Sequence, residues 1–72
     1  MAYRHSIYNG DYIYKDLELY VNVFQISNDY FLIGLQNWEL DINCGGYVYI
    51  KTNSIDKIII KGIKSFIPKE LL

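Results

Sequence analysis

The feature that most constrains this chain is a two-residue alternation of apolar and polar side chains, repeated in short runs between turn-forming residues. Successive side chains of an extended strand point to opposite faces, so each such run buries one face and leaves the other in water. Leu17, Leu19, Val21 and Val23 alternate with Glu18, Tyr20, Asn22 and Phe24. Trp38, Leu40 and Ile42 alternate with Glu39, Asp41 and Asn43. β-Branched and aromatic residues, which fit a pleated, half-buried surface, fill these runs.

The punctuation agrees with strands. Asn9-Gly10 lies between residues 6–8 and 11–14, and both positions tolerate positive φ, so the pair predicts a primed two-residue turn joining strands near 3–8 and 11–15. Ser27-Asn28-Asp29 predicts a second hairpin, Gln36-Asn37 a break before Trp38, and Asn43-Cys44-Gly45-Gly46 a turn before the run 47–50. Thr52-Asn53-Ser54 precedes Ile55 and an expected strand over 57–61. Pro68 followed by Lys69-Glu70-Leu71-Leu72 predicts one short helical turn. The expected fold is all-β: one domain over residues 1–72, a small antiparallel meander closing into a barrel or sandwich, with that turn as a cap. The expected core is Leu19, Val21, Val23, Phe31, Ile33, Leu35, Leu40, Ile42, Val48, Ile50, Ile58 and Ile60, each on the apolar face of a run.

Composition explains how so short a chain fills a core. Of its 72 residues, 51% are hydrophobic and 17% aromatic, with eight Tyr. Rings bury about 150–250 Å² each, so few are needed. Cys44 is the only cysteine, which removes an intrachain disulfide and a thiolate zinc site from consideration. A reducing compartment, or a domain helped by self-association, is expected. No signal-like N-terminal segment and no run of about 20 apolar residues is present, so a soluble cytoplasmic protein without membrane contact is expected. Net charge is −1 but unevenly spread. Residues 1–45 hold Arg4 and Lys15 against Asp11, Asp16, Glu18, Asp29, Glu39 and Asp41; residues 46–72 hold Lys51, Lys57, Lys61, Lys64 and Lys69 against Asp56 and Glu70.

Catalytic chemistry finds little support. His5 is the only histidine and lies near a chain end, poorly placed for a rigid general base. Cys44 has no cation or helix N-terminus before it to lower its pKa. Gly45-Gly46 lacks the Gly-x-x-x-x-Gly-Lys pattern of a phosphate loop. Glu39 and Asp41 share a strand face that is more simply solvated than catalytic. No catalytic residue, metal site or cofactor is expected, and the chain reads as a non-enzyme.

The tyrosines are in surplus. Tyr20 and Tyr30 alternate with core aliphatics and so belong to the face away from the core. Exposed tyrosines suit protein interfaces, giving large contact area at low entropic cost. They also stack bases on small barrels, or simply pair across strands.

Two segments resemble the Sm-like and SH3-like small β-barrels. Residues 47–58, Tyr-Val-Tyr-Ile-Lys-Thr-Asn-Ser-Ile-Asp-Lys-Ile, resemble the second Sm stretch, in which an apolar strand enters Ile-(Arg/Lys)-Gly-Asn. Phe31-Leu-Ile-Gly34-Leu35 is similar to the first, where glycine permits a bend. The likeness spans residues 17–61. It departs at Lys51-Thr52, where the family has Arg/Lys-Gly, and in a shorter path from Gly34 to Lys51. The resemblance implies Lys51 and Asn53 on an RNA-facing loop and the strand 47–50 pairing with a neighbouring subunit. The functional expectation is a binding module acting on a protein partner or on itself through Tyr20, Tyr30, Tyr47 and Tyr49 and through sheet edges. A phage- or mobile-element-encoded inhibitor is one concrete form, in keeping with a composition rich in Ile, Asn, Tyr and Lys. The alternative is an RNA- or single-strand-binding barrel using Tyr47, Tyr49, Lys51, Lys57 and Lys61.

Overall fold

A computed structural model describes residues 5–72. Four strands, β1 (His5–Tyr14), β2 (Leu17–Ser27), β3 (Tyr30–Asn37) and β4 (Ile42–Tyr49), form one antiparallel sheet in the order β1-β2-β3-β4. An α-helix, α1 (Ile55–Phe66), lies across one face, and a 3-10 turn, Lys69–Leu71, follows Pro68. The chain is therefore mostly β and a meander, as the alternation predicts. Among the described residues β1 and β4 are the two edges of an open sheet and do not pair.

The alternation chooses the faces as expected. Leu17, Leu19, Val21 and Val23 of β2, Phe31, Ile33 and Leu35 of β3, and Ile42 and Val48 of β4 are all buried on the helix side. Tyr8, Tyr12 and Tyr14 continue this face onto β1, opposite Val23, Leu19 and Leu17.

Three expectations change. The first hairpin turns at Lys15-Asp16, not at Asn9-Gly10, which lies inside β1. Turning later lets Tyr8, Gly10, Tyr12 and Tyr14 run in register with Val23, Val21, Leu19 and Leu17. The longer ladder offsets the left-handed backbone of Lys15, at φ 56°, which costs a non-glycine residue about 1–3 kcal/mol. Second, residues 38–41 form the β3–β4 loop rather than a strand. Asn37 Oδ1 accepts from Leu40 N at 3.0 Å, the Asp41 amide donates to the Trp38 carbonyl at 3.3 Å, and Asp41 takes φ 55°. Trp38 and Leu40 are consequently exposed, and Leu40 leaves the expected core. Cys44-Gly45-Gly46, expected in a turn, belongs to β4.

Third, residues 57–61 are helical. Ser54 caps α1 by accepting from the Lys57 amide at 3.3 Å, Asp56 sits in the first turn and Lys64 in the last, where each favours the helix dipole. Ile59, Ile63 and Ile67 recur every four residues and are buried with Ile58, which is helical spacing. Burying this stripe outweighs the strand preference of Ile58-Ile59-Ile60. Ile60 and Ile50, both expected in the core, are only half-buried.

The helix sits very close to the sheet. A Cβ on Gly62 would stand 2.7 Å from Cδ1 and 3.0 Å from Cγ2 of Ile33, a side chain that is 1% exposed. A Cβ on Gly46 would stand 2.9 Å from the Phe66 ring. Gly62→Val should therefore overpack this contact and lower stability by about 1–3 kcal/mol. Gly10→Val should leave stability unchanged or raise it by up to about 1 kcal/mol, since Gly10 lies in a strand and a Cβ there meets only the Tyr8 hydroxyl at 4.0 Å. Thermal denaturation of the two variants checks both signs. A loss for Gly10→Val would point back to a turn at Asn9-Gly10.

Candidate functional site

With α1 on one face of the sheet, the other face is left bare. Its residues form cross-strand rows. At one end, Phe24, Leu32 and Tyr47 are in register, beside the Tyr30–Tyr49 pair. In the middle Asn22, Gly34 and Gly45 make a low polar band with Asn9. At the far end Asp11, Tyr20, Gln36 and Asn43 lie in one row, with Ile13 and Glu18 paired beyond. The bare face is thus an aromatic–apolar region and a mixed, acid-bearing region parted by small and polar residues.

Tyr30 and Tyr47 stack diagonally across the β3–β4 ladder, with ring centroids 5.3 Å apart and planes 7° from parallel. This pair stiffens the strands and also offers one flat, two-ring platform. Tyr49 stands beside it, 65% exposed. Tyr20, at the opposite end, donates its hydroxyl to Asn9 Oδ1. The expected placement of Tyr20 and Tyr30 away from the core holds, and Tyr47 and Tyr49 are exposed on the same face.

The remaining described tyrosines have structural employment. Tyr8 and Tyr12 meet edge to face at 6.4 Å on the helix side, and the Tyr8 hydroxyl donates to the Asp11 carbonyl at 2.5 Å. Tyr14 carries Lys15 Nζ 5.4 Å from its ring centre. Tyr3 lies outside the described residues.

The basic candidates are elsewhere. Lys57 and Lys61 are exposed on α1, on the side of the molecule opposite Tyr47 and Tyr49. Lys51 and Asn53 lie in the segment between β4 and α1, beside an open cleft of about 740 Å³ that also involves Gln25, Asn28 and Asp29. The tyrosines are therefore brought onto one face; Lys57 and Lys61 are not brought to them, and Lys51 follows Tyr49 by two residues just past the end of β4. Missed from the sequence was a second groove of about 390 Å³, where Trp38 and Glu39 of the β3–β4 loop approach Asp11, Ile13, Glu18 and Tyr20. Reading 38–43 as a strand hid it.

Cys44 is half-buried in β4 against the core, and desolvation pushes its thiol up, away from the thiolate a nucleophile needs. Among the described residues, no group of three His, Cys, Asp or Glu side chains could hold a metal ion. No helix among the described residues is long and apolar enough to cross a membrane. No protein-family model, curated protein or solved structure matches this chain.

Tyr12 is pushed above the usual tyrosine range, first by burial and then by its hydrogen bond to Asp56 Oδ1 at 3.1 Å and the charge of that carboxylate. A tyrosine raised in the folded state leaves stability intact below the ordinary tyrosine pKa of about 10 and removes it as pH climbs beyond. Asp56→Ala should bring the Tyr12 titration part of the way down, because burial remains. Ultraviolet titration of tyrosinate checks this, with Tyr12→Phe identifying the Tyr12 transition; a Tyr12 transition unmoved by Asp56→Ala would refute the contact between β1 and α1.

Proposed function

We propose that this chain is a non-catalytic binding module that engages a protein partner through its bare sheet face, with Tyr30, Tyr47 and Tyr49 at the centre of the contact. The observation that carries this reading is the stacked Tyr30–Tyr47 pair beside exposed Tyr49, on the face that α1 does not cover. Aromatic side chains of this kind dominate interface hot spots, because they bury much area and lose few rotamers. Phe24 and Leu32, half-buried in the same rows, extend the apolar surface. A small inhibitor of a host protein, acting in the cytoplasm, is one form such a module takes.

The nucleic-acid alternative needs bases stacked on Tyr47 and Tyr49 and phosphates held by Lys51, Lys57 and Lys61. Placement of Lys57 and Lys61 on α1, away from the tyrosine face, favours the protein reading, since a strand held at Tyr47, Tyr49 and Lys51 would have to wrap the molecule to reach them.

Tyr49→Ala should change stability by less than about 0.5 kcal/mol, as an exposed position. Tyr30→Ala should cost about 0.5–1.5 kcal/mol from the lost ring pair. Both, combined with Tyr47→Ala, should abolish protein capture by the immobilised chain from extracts of the cells that express it. Lys57→Gln with Lys61→Gln should not. Capture that survives the tyrosine changes while the melting temperature falls would make the tyrosines structural and defeat the proposal.

A further inference from the structure

The groove at the far end of the bare face has a composition unlike the tyrosine platform. Three carboxylates, Asp11, Glu18 and Glu39, surround Ile13, Tyr20 and Trp38, and among the described residues no basic side chain lines it. Trp38 is 76% exposed and Ile13 65%, so the apolar surface is open. Such a surface suits a lysine side chain, whose methylene stem covers apolar area while its ammonium meets aromatic faces and carboxylates.

The chain carries a matching row of its own. Lys57, Lys61 and Lys64 are all exposed and fall at one-turn spacing along α1, so they lie side by side on its outer surface. Asp56, the acid of that helix, accepts the Tyr12 hydroxyl of β1 rather than joining the row. The spacings also agree. Asp11 is opposite Tyr20 and Ile13 opposite Glu18, so Asp11 and Glu18 are diagonal neighbours about 7–8 Å apart. Lysines one helical turn apart are separated by about 5–6 Å at Cβ, and their flexible stems span the difference.

We propose that the groove formed by Asp11, Ile13, Glu18, Tyr20, Trp38 and Glu39 seats the lysine row of α1 from a second copy of this chain. Two adjacent lysines of that row meet Asp11 and Glu18, their stems lie on Ile13 and Tyr20, and Glu39 and Trp38 close over the third. The contact is head to tail: each copy gives a groove to one neighbour and a helix to another, so association continues into an oligomer or closes as a ring. It uses neither Tyr30, Tyr47 nor Tyr49, and stands or falls separately from the partner surface proposed above. A contact this small is weak, with a dissociation constant of roughly 0.1–1 mM, and salt-sensitive.

The test separates the two halves of the contact. One variant, Asp11→Asn/Glu18→Gln/Glu39→Gln, keeps the lysines and loses the acidic groove; the other, Lys57→Gln/Lys61→Gln/Lys64→Gln, keeps the groove. All six positions are exposed, and a melting curve of each variant confirms that it folds. In sedimentation velocity at about 1 mM protein and low salt, the unmodified chain should associate, and about 0.5 M salt should reverse this. Each variant alone should remain monomeric, while their equimolar mixture should form dimers and stop there. Trp38, the single tryptophan, should change its emission in step with association. A monomeric unmodified chain, variants that associate alone, a mixture that does not dimerise, or association that leaves Trp38 emission unchanged would each overturn the proposal. So would a monomeric chain whose Trp38 responds only to an added lysine-rich peptide, since the occupant would then be foreign.

Discussion

Gly62 of α1 rests against Ile33 at the centre of the sheet with no room for a methyl group between them. That contact sets how near the helix lies. The same closeness brings Phe66 over Gly46 and places Ile58, Ile59, Ile63 and Ile67 among the inward residues of β2, β3 and β4. A four-stranded meander alone has one apolar face and nothing to cover it. A single twelve-residue helix supplies the cover, and its width suffices because glycine lets the backbones approach.

The functional reading follows from the same asymmetry. One helix shields one face, so everything on the other face meets solvent or a partner. Side chains there divide by row: Tyr30, Tyr47, Tyr49, Phe24 and Leu32 at one end, Asp11, Glu18, Tyr20 and Trp38 at the other. The Asn9–Asn22–Gly34–Gly45 band between them keeps the two regions distinct. A small domain can in this way present two chemically different surfaces without any insertion in its loops.

Much of this was legible in the sequence, and the reasons for the rest are specific. Alternation in residues 17–23 assigned the faces of β2, and the two-residue period of Phe31, Ile33 and Leu35 those of β3, because a buried face leaves no freedom of register. Tyr20 and Tyr30 were placed outward on the same ground. Asn9-Gly10 misled because its turn preference is local, whereas the ladder through Lys15-Asp16 pairs a full set of inward side chains. Residues 38–43 alternate as a strand would, yet Asn37 caps a loop there through the Leu40 amide, and Trp38 swings into solvent. Residues 57–61 look like a β-branched strand. The competing signal, Ser54 before Asp56 with isoleucines four apart and lysines between them, becomes decisive only when a sheet face needs covering. The acidic–aromatic groove was invisible because it depends on that misread loop.

The most direct test of this account is amide hydrogen exchange followed by nuclear magnetic resonance. If the helix and sheet form one core joined at Gly62 and Ile33, the amides of Ile59 and Ile63 should exchange only through global unfolding. Their exchange free energy should then equal that of Val21, Val23, Ile33 and Leu35. Helix amides exchanging through a local opening, while those sheet amides stay protected, would show that α1 is a dispensable appendage, and the division into a covered and a bare face would fail.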